Sequence, residues 1–161
     1  MNVFVAGASG AIGRPLVAEL VRRGHAVTGM TRSDAGATAL AHLGAAVARV
    51  GAFDAPGLEQ ALRESEAEVV VDELTDLPKS PAERSAAAAG DRRLRLEGGG
   101  NLLSAARRSG VRRYVQQASG FFLRPGHGLG DESEGLAVNA SPRVAESART
   151  YAGLEDRKSV V

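Results

Sequence analysis

Three glycines at G-x-x-G-x-x-G spacing, Gly7, Gly10 and Gly13, separate an apolar run from a helical pattern within the first twenty-one residues. Val3, Phe4, Val5 and Ala6 precede them with no polar face, as a parallel strand buried on both sides reads. Ile12, Leu16, Val17, Leu20 and Val21 follow at helical spacing. Strand, glycine turn and helix in that order present backbone N–H groups and a positive helix end to a phosphate. Gly7 permits the tight turn. Gly10 removes a side chain that would hold a pyrophosphate off the backbone, and Gly13 lets the helix sit close to the strand. Pro15 is tolerated because first-turn N–H groups have no intrahelical partner. A glycine-rich surface turn is the alternative, but the buried-type strand before it and the helix after it favour nucleotide binding.

Further along, His25 to Met30 reads as a second strand, after an Arg22-Arg23-Gly24 helix end. Ser33-Asp34 can cap a helix through about residue 43, and Ala45 to Val50 is a third strand. Ala55-Pro56 opens a helix through about residue 63, and Glu68 to Asp72 is a fourth strand, β-branched at its centre. Pro78 and Pro81 break the chain before a long helical region, roughly 82 to 108. Gly98-Gly99-Gly100 sits inside it at about 1 kcal/mol per glycine against alanine. Either a local break or a close backbone approach to cofactor or partner accounts for it. Val111 to Ala118 is a fifth strand; a glycine-rich loop and a last helix near 141 to 156 follow. Strands alternating with helices predict a doubly wound parallel α/β sheet in three layers. The expected order is 3-2-1-4-5, with the ligand crevice above the carboxyl ends of strands 1 and 4.

The 161 residues suffice for one domain, 1–161, with one core. A net charge of +1 implies no broad field for nucleic acid or membrane. An aromatic content of 4% argues against stacking platforms for single strands. The absence of cysteine removes disulfides and thiolate chemistry. No apolar run reaches a membrane-spanning length, and a strand already stands at the N-terminus, so a cytoplasmic protein without signal peptide is the expectation. His25, His42 and His127 lack metal-ligand spacing, and Asp131 to Glu134 reads as a solvated acidic loop. The arginine pairs 92–93, 107–108 and 112–113 read as surface charge rather than a nucleic-acid footprint.

Several segments together resemble the short-chain dehydrogenase/reductase superfamily, in its extended or atypical branch of epimerase/dehydratase and NAD(P)H-binding type. They are Gly7-Ala8-Ser9-Gly10-Ala11-Ile12-Gly13, Asp54 after the third strand, Glu97 to Ala106, and Gly110 to Val115 leading to Ser119. The resemblance implies a Rossmann fold and a nicotinamide dinucleotide held by Gly7, Ser9, Gly10, Ala11, Ile12 and Gly13. It also implies that Phe53 and Asp54 flank the adenine, and that Leu74 and Thr75 line the dinucleotide. The alternative for Asp54 is a cap on the helix at Pro56; both can hold. An acidic residue ending strand 2 would bind a ribose 2′-OH and repel a 2′-phosphate. Here Met30-Thr31-Arg32 stands instead, and the cationic fork of Arg32 suits a phosphate. NADP(H) is therefore expected over NAD(H), a solvated loop arginine being the alternative.

In the superfamily, a Ser or Thr after strand 5 works with Tyr-x-x-x-Lys on the next helix. Ser119 and Tyr151 match the first two. The residue four places after Tyr151 is Glu155, not lysine, and a carboxylate raises a phenol pKa rather than lowering it. Lys158 lies two helical turns on, about 10 Å along the axis. A packed helix tyrosine is the alternative role for Tyr151. Extended members also carry a substrate lobe, which this chain largely lacks unless Ser159-Val160-Val161 begins a sixth strand. A fragment, a truncated relative, or a homodimer hiding the strand-5 edge are the alternatives. The expectation is an NADP(H)-dependent oxidoreductase or epimerase/dehydratase acting on a small molecule. A non-catalytic NADP(H) sensor and an inactive truncated relative compete with it.

Overall fold

Alternate side chains of the first strand feed two cores. In the computed structural model, which describes residues 1–77, 80, 84–124 and 135–156, β1 spans Asn2–Ala6. Val3 and Val5 pack with Val17, Val27 and Leu40 on one face, while Phe4 and Ala6 pack with Leu58, Leu62, Val70 and Leu102 on the other. A strand apolar at every position is thus read out as burial on both sides.

Helices and strands then alternate, with two helices between the last two strands: α1 (Gly13–Arg22), β2 (Ala26–Thr31), α2 (Asp34–His42), β3 (Ala46–Arg49), α3 (Ala55–Glu64), β4 (Val69–Asp72), α4 (Arg84–Arg93), α5 (Gly99–Arg108) and β5 (Arg113–Gln116). All four pairings are parallel and the order is β3-β2-β1-β4-β5, the doubly wound Rossmann arrangement expected from the sequence. β1 pairs with β2 and β4 on its two sides, so the chain reverses direction across the sheet at β1 and β4. β5 is four residues long rather than the eight expected, because β4, with which it pairs, offers only Val69–Asp72. Val115 on this edge strand is 45% exposed.

α4 and α5 are joined without a break by a π-helical stretch, Leu94–Gly98. Neither a break in the chain's helical course nor an approach to cofactor or partner is what the Gly98-Gly99-Gly100 backbone shows: it packs closely on the chain itself. A Cβ on Gly98 would lie 2.9 Å from the Ala52 Cβ, and one on Gly99 would lie 3.2 Å from Asp72 Oδ2. The Asn101 amide reinforces the contact by donating to the Ala52 carbonyl at 3.2 Å.

The chain forms two compact units, residues 1–117 and 118–161. The second contains a short 3-10 turn (Gly120–Phe122), an antiparallel bridge between Leu123 and Leu136, and α6 (Pro142–Asp156). Pro78, Pro81, His127, Asp131 to Glu134, Lys158 and Ser159 to Val161 lie outside the described residues. Among the described residues no helix is long and apolar enough to cross a membrane.

Candidate functional site

Because the sheet is parallel, the residue that follows each strand emerges at the same carboxyl edge. Gly7 after β1, Arg32 after β2, Phe53 and Asp54 beyond β3, and Leu74 and Thr75 beyond β4 are gathered there by topology alone. The glycine turn sits against the end of β4: the Glu73 N–H donates to the Ala6 carbonyl at 3.1 Å.

Its three glycines differ in what demands them. Gly7 has φ +75°, and a Cβ there would fall 2.5 Å from the Glu73 carbonyl oxygen. A Cβ on Gly13 would meet the Gly7 oxygen at 2.2 Å and the Ala8 Cα at 2.7 Å, so α1 touches the turn backbone to backbone. Gly10 is exposed, and a Cβ there would meet only the Gly7 oxygen, at 3.1 Å. The Gly10 N–H closes the turn onto that same oxygen at 2.9 Å. The first i→i−4 bond of α1 runs from the Arg14 N–H to the Gly10 carbonyl at 3.1 Å, so the amides at 11–13 belong to the open, positive end of the helix. The turn thus leaves backbone N–H groups and the positive end of α1 open beside an exposed Gly10, donors of the kind an anion accepts from.

Ser9 ties the turn to the end of β2 through its hydroxyl, 3.3 Å from Thr31 Oγ1. Thr31 is 5% exposed, whereas Arg32, the next residue, is exposed and pairs with no carboxylate among the described residues. Asp34 is not the cap of α2. Ser33 is, accepting from the Gly36 N–H at 3.0 Å, while Asp34 takes the first helical position and pairs with Arg49 at 2.8 Å. Ser33 wins because its extended backbone turns the hydroxyl back onto the helix end. Asp54 does cap α3, accepting from the Gly57 N–H at 3.0 Å, while remaining exposed beside Phe53. The Leu74 side chain lies in the core rather than at the surface, and Thr75 is half-buried. Ala11 is exposed. Ile12 and Phe53 are 52% and 43% exposed, two large apolar side chains left open on one edge.

A polar cluster that the sequence did not single out lies at the end of β4. Asp72 is 3% exposed; it accepts from the Leu74 N–H at 3.0 Å and from the Tyr114 hydroxyl at 2.7 Å. Burial, then the Asp72 charge and the hydrogen bond to it, hold the Tyr114 phenol well above its ordinary pKa. Burial and the neighbouring Asp72 charge also raise the Glu73 carboxyl, with Arg95 opposing. Glu73 Oε2 is buried and has no hydrogen-bond partner among the described residues. Arg95, on the π-helical stretch, is 6% exposed and donates to Asp91 at 2.9 Å. The sequence signal for this cluster was the acid ending an apolar strand, with Tyr114 placed beside it by the β4–β5 register.

In the second unit, Ser119 immediately precedes the 3-10 turn. Tyr151 is 8% exposed, and its ring stacks on Phe122 with centroids 5.1 Å apart. Ser119 and Tyr151 therefore belong to elements of one unit, with the packed-tyrosine role plainly present. No group of three potential ligands for a metal ion occurs among the described residues.

Comparison with known proteins agrees with this geometry. A family model described as NAD(P)H-binding matches residues 7–150. A curated Streptomyces protein, 3-diazoavenalumate denitrifying reductase, is 38% identical over 157 residues, covering 96% of this chain and 50% of that protein. UDP-glucose 4-epimerase of Thermus thermophilus, solved with NAD, superposes with TM-score 0.77 at 26% identity, over 99% of this chain and 50% of that one. The Stenotrophomonas maltophila UDP-glucose 4-epimerase, solved with NAD and a formylated UDP-arabinopyranose, gives TM-score 0.79 at 20% identity, over 99% and 48%. A short-chain dehydrogenase/reductase superfamily protein of Agrobacterium tumefaciens with bound NAD gives 0.70 at 25%, over 96% and 43%. The chain spans about half the length of these relatives.

Proposed function

The chain belongs to the NAD(P)H-binding family of the short-chain dehydrogenase/reductase superfamily, and from that premise we propose that residues 1–161 are the dinucleotide-binding domain of an NADP(H)-dependent oxidoreductase. The single observation that carries the reading is the glycine turn at the switch point between β1 and β4, with Gly10 left without a side chain although the fold makes little demand for it. Gly7, Ser9, Gly10, Ala11, Ile12 and Gly13 hold the diphosphate. Phe53 and Asp54 take the adenine, Thr75 and the backbone at Leu74 line the dinucleotide, and Arg32, with no carboxylate partner among the described residues, takes the 2′-phosphate. A nicotinamide held by these residues would supply hydride-transfer chemistry toward a small-molecule substrate. Ser119 and Tyr151, both in the second unit, are the residues assigned to the substrate in this reading: the serine hydroxyl would hydrogen-bond its oxygen and the tyrosine phenol would serve as the acid. The 38% identical relative is named as a reductase, which favours reduction over epimerisation.

Calorimetry with NADPH and NADH tests the cofactor assignment. NADPH is expected to bind more tightly, and a bulky residue at Gly10 to abolish binding; NADH binding more tightly, or affinity indifferent to Gly10→Leu, overturns it. NADPH oxidation against a carbonyl panel, with Tyr151→Phe as control, tests the chemistry; turnover untouched by that change removes Tyr151 from it.

A second reading is an NADP(H)-binding module without chemistry. It is favoured by Glu155 at the position where the superfamily has lysine and by the close packing of Tyr151 on Phe122. NADPH binding with no turnover in the same assays selects it, and failure to bind either dinucleotide selects an inactive relative.

A further inference from the structure

We propose that Arg93 on α4 is a second specificity-determining residue for the 2′-phosphate of NADP(H), acting with Arg32; this rests on the NADP(H) reading above. The segment Gly51–Asp54 beyond β3 is a tight turn, closed by the Asp54 N–H on the Gly51 carbonyl at 3.1 Å. Two arginines from distant parts of the sequence lie on it. The Arg32 Cδ comes within 3.7 Å of where a Cβ on Gly51 would stand. The Arg93 guanidinium carbon sits 4.5 Å from the centroid of the Phe53 ring.

Arg93 is held in that pose from its other side. Its Nε and Nη2 donate to Glu97 at 2.7 Å and 3.2 Å, one helical turn further on. The ring contact and the carboxylate together hold the guanidinium against the turn. A guanidinium carries five N–H donors, and Glu97 engages two of its nitrogens, which leaves the Nη1 pair for another anion. The side chain is 64% exposed, so that edge is open to solvent. Asp54 turns its carboxylate onto the Gly57 N–H of α3. With the Asp54 carboxylate so engaged and Glu97 on two nitrogens of Arg93, Arg32 and the Nη1 edge of Arg93 are the donors left open at this turn, and a phosphate oxygen is an acceptor they suit.

A bare surface stack of Arg93 on Phe53 predicts something different. Losing it would disturb the adenine contact alike for every adenine nucleotide, with or without a 2′-phosphate. Titrating the full chain by calorimetry with 2′,5′-ADP and with 5′-AMP separates the two. Arg93→Gln is expected to weaken 2′,5′-ADP by about tenfold or more, as loss of a charge-assisted phosphate contact implies, and 5′-AMP by less than about twofold. Equal losses for both nucleotides, or no loss for either, overturn the role of Arg93. A wild-type chain that prefers 2′,5′-ADP, loses that preference in Arg32→Gln and keeps it in Arg93→Gln overturns it while leaving the NADP(H) reading intact. A wild-type chain with no preference between the probes overturns both.

Discussion

Gly13→Ala separates what the fold requires from what a ligand requires. The new Cβ would stand 2.2 Å from the Gly7 carbonyl oxygen and 2.7–2.8 Å from Ala8 Cα and C, all backbone atoms, so no rotamer change relieves it. The first of these is about 1.2 Å inside ordinary contact, and the start of α1 must move by that order. Overpacking of this kind costs about 1–3 kcal/mol, against which alanine's helix propensity returns at most about 1 kcal/mol, less at a first helical position. A net loss of about 2 kcal/mol lowers the melting temperature by about 4–8 °C in a chain of this size. Gly10→Ala is the companion: its single contact at 3.1 Å and its exposure limit the change to about 0.5 kcal/mol. Circular-dichroism melts of both variants beside the wild type read these numbers, and NADPH titration of Gly10→Ala reads a loss of about tenfold or more if the diphosphate lies where proposed. A Gly13→Ala protein that melts with the wild type, or a Gly10→Ala protein that loses as much stability as Gly13→Ala, refutes the steric reasoning.

Three further outcomes follow from the same edge of the sheet. Asp54→Ala removes the α3 cap and costs about 1 kcal/mol in urea unfolding, whereas Asp54→Ser restores the cap; NADPH affinity staying low in the serine variant separates adenine binding from capping. Tyr114→Phe takes one hydrogen bond from the buried Asp72 carboxylate and costs about 1–3 kcal/mol by the same measurement; an unchanged midpoint removes that bond from the stability of the fold. Glu73 has a raised folded pKa, so the folded state holds its proton more tightly than the unfolded one and stability declines as pH rises from the ordinary carboxylate range toward the folded value. Glu73→Gln is therefore expected to exceed the wild type in stability at neutral pH, with the advantage vanishing below about pH 4; parallel stability curves across that range would falsify this assignment.

The fold was legible because its signals are local and repeated. Apolar strands such as Val3–Ala6 cannot leave a face in water, and their alternation with helices leaves few topologies open. Gathering Arg32, Phe53, Asp54 and Thr75 on one edge needed nothing beyond the parallel sheet that this alternation implies. What did not show was set by distant contacts. The π-helical stretch and the fit of Gly98 against Ala52 arise where α4 and α5 press onto the β3–α3 connection. The Asp72–Tyr114 bond depends on the β4–β5 register, and the stacking of Arg93 on Phe53 joins residues forty positions apart. The choice of Ser33 over Asp34 as cap is set by where the helical backbone begins, which composition does not record.

The glycine pattern also points to binding more narrowly than its three positions suggest. Gly7 is dictated by its positive φ and by the Glu73 carbonyl, and Gly13 by the turn backbone beneath it. A protein of this fold that bound nothing would still need both. Of the three, Gly10 alone has an ordinary φ and a single neighbour, the Gly7 oxygen at 3.1 Å, where its side chain would go, and Ile12 and Phe53 alone among the large apolar groups of the turn and the β3 end stand exposed. A dinucleotide is therefore indicated by residues whose identity the chain's own packing leaves free. Those positions, Gly10 and Arg32 first, can be changed without unfolding the sheet, so a loss of affinity there reports on the ligand rather than on the scaffold.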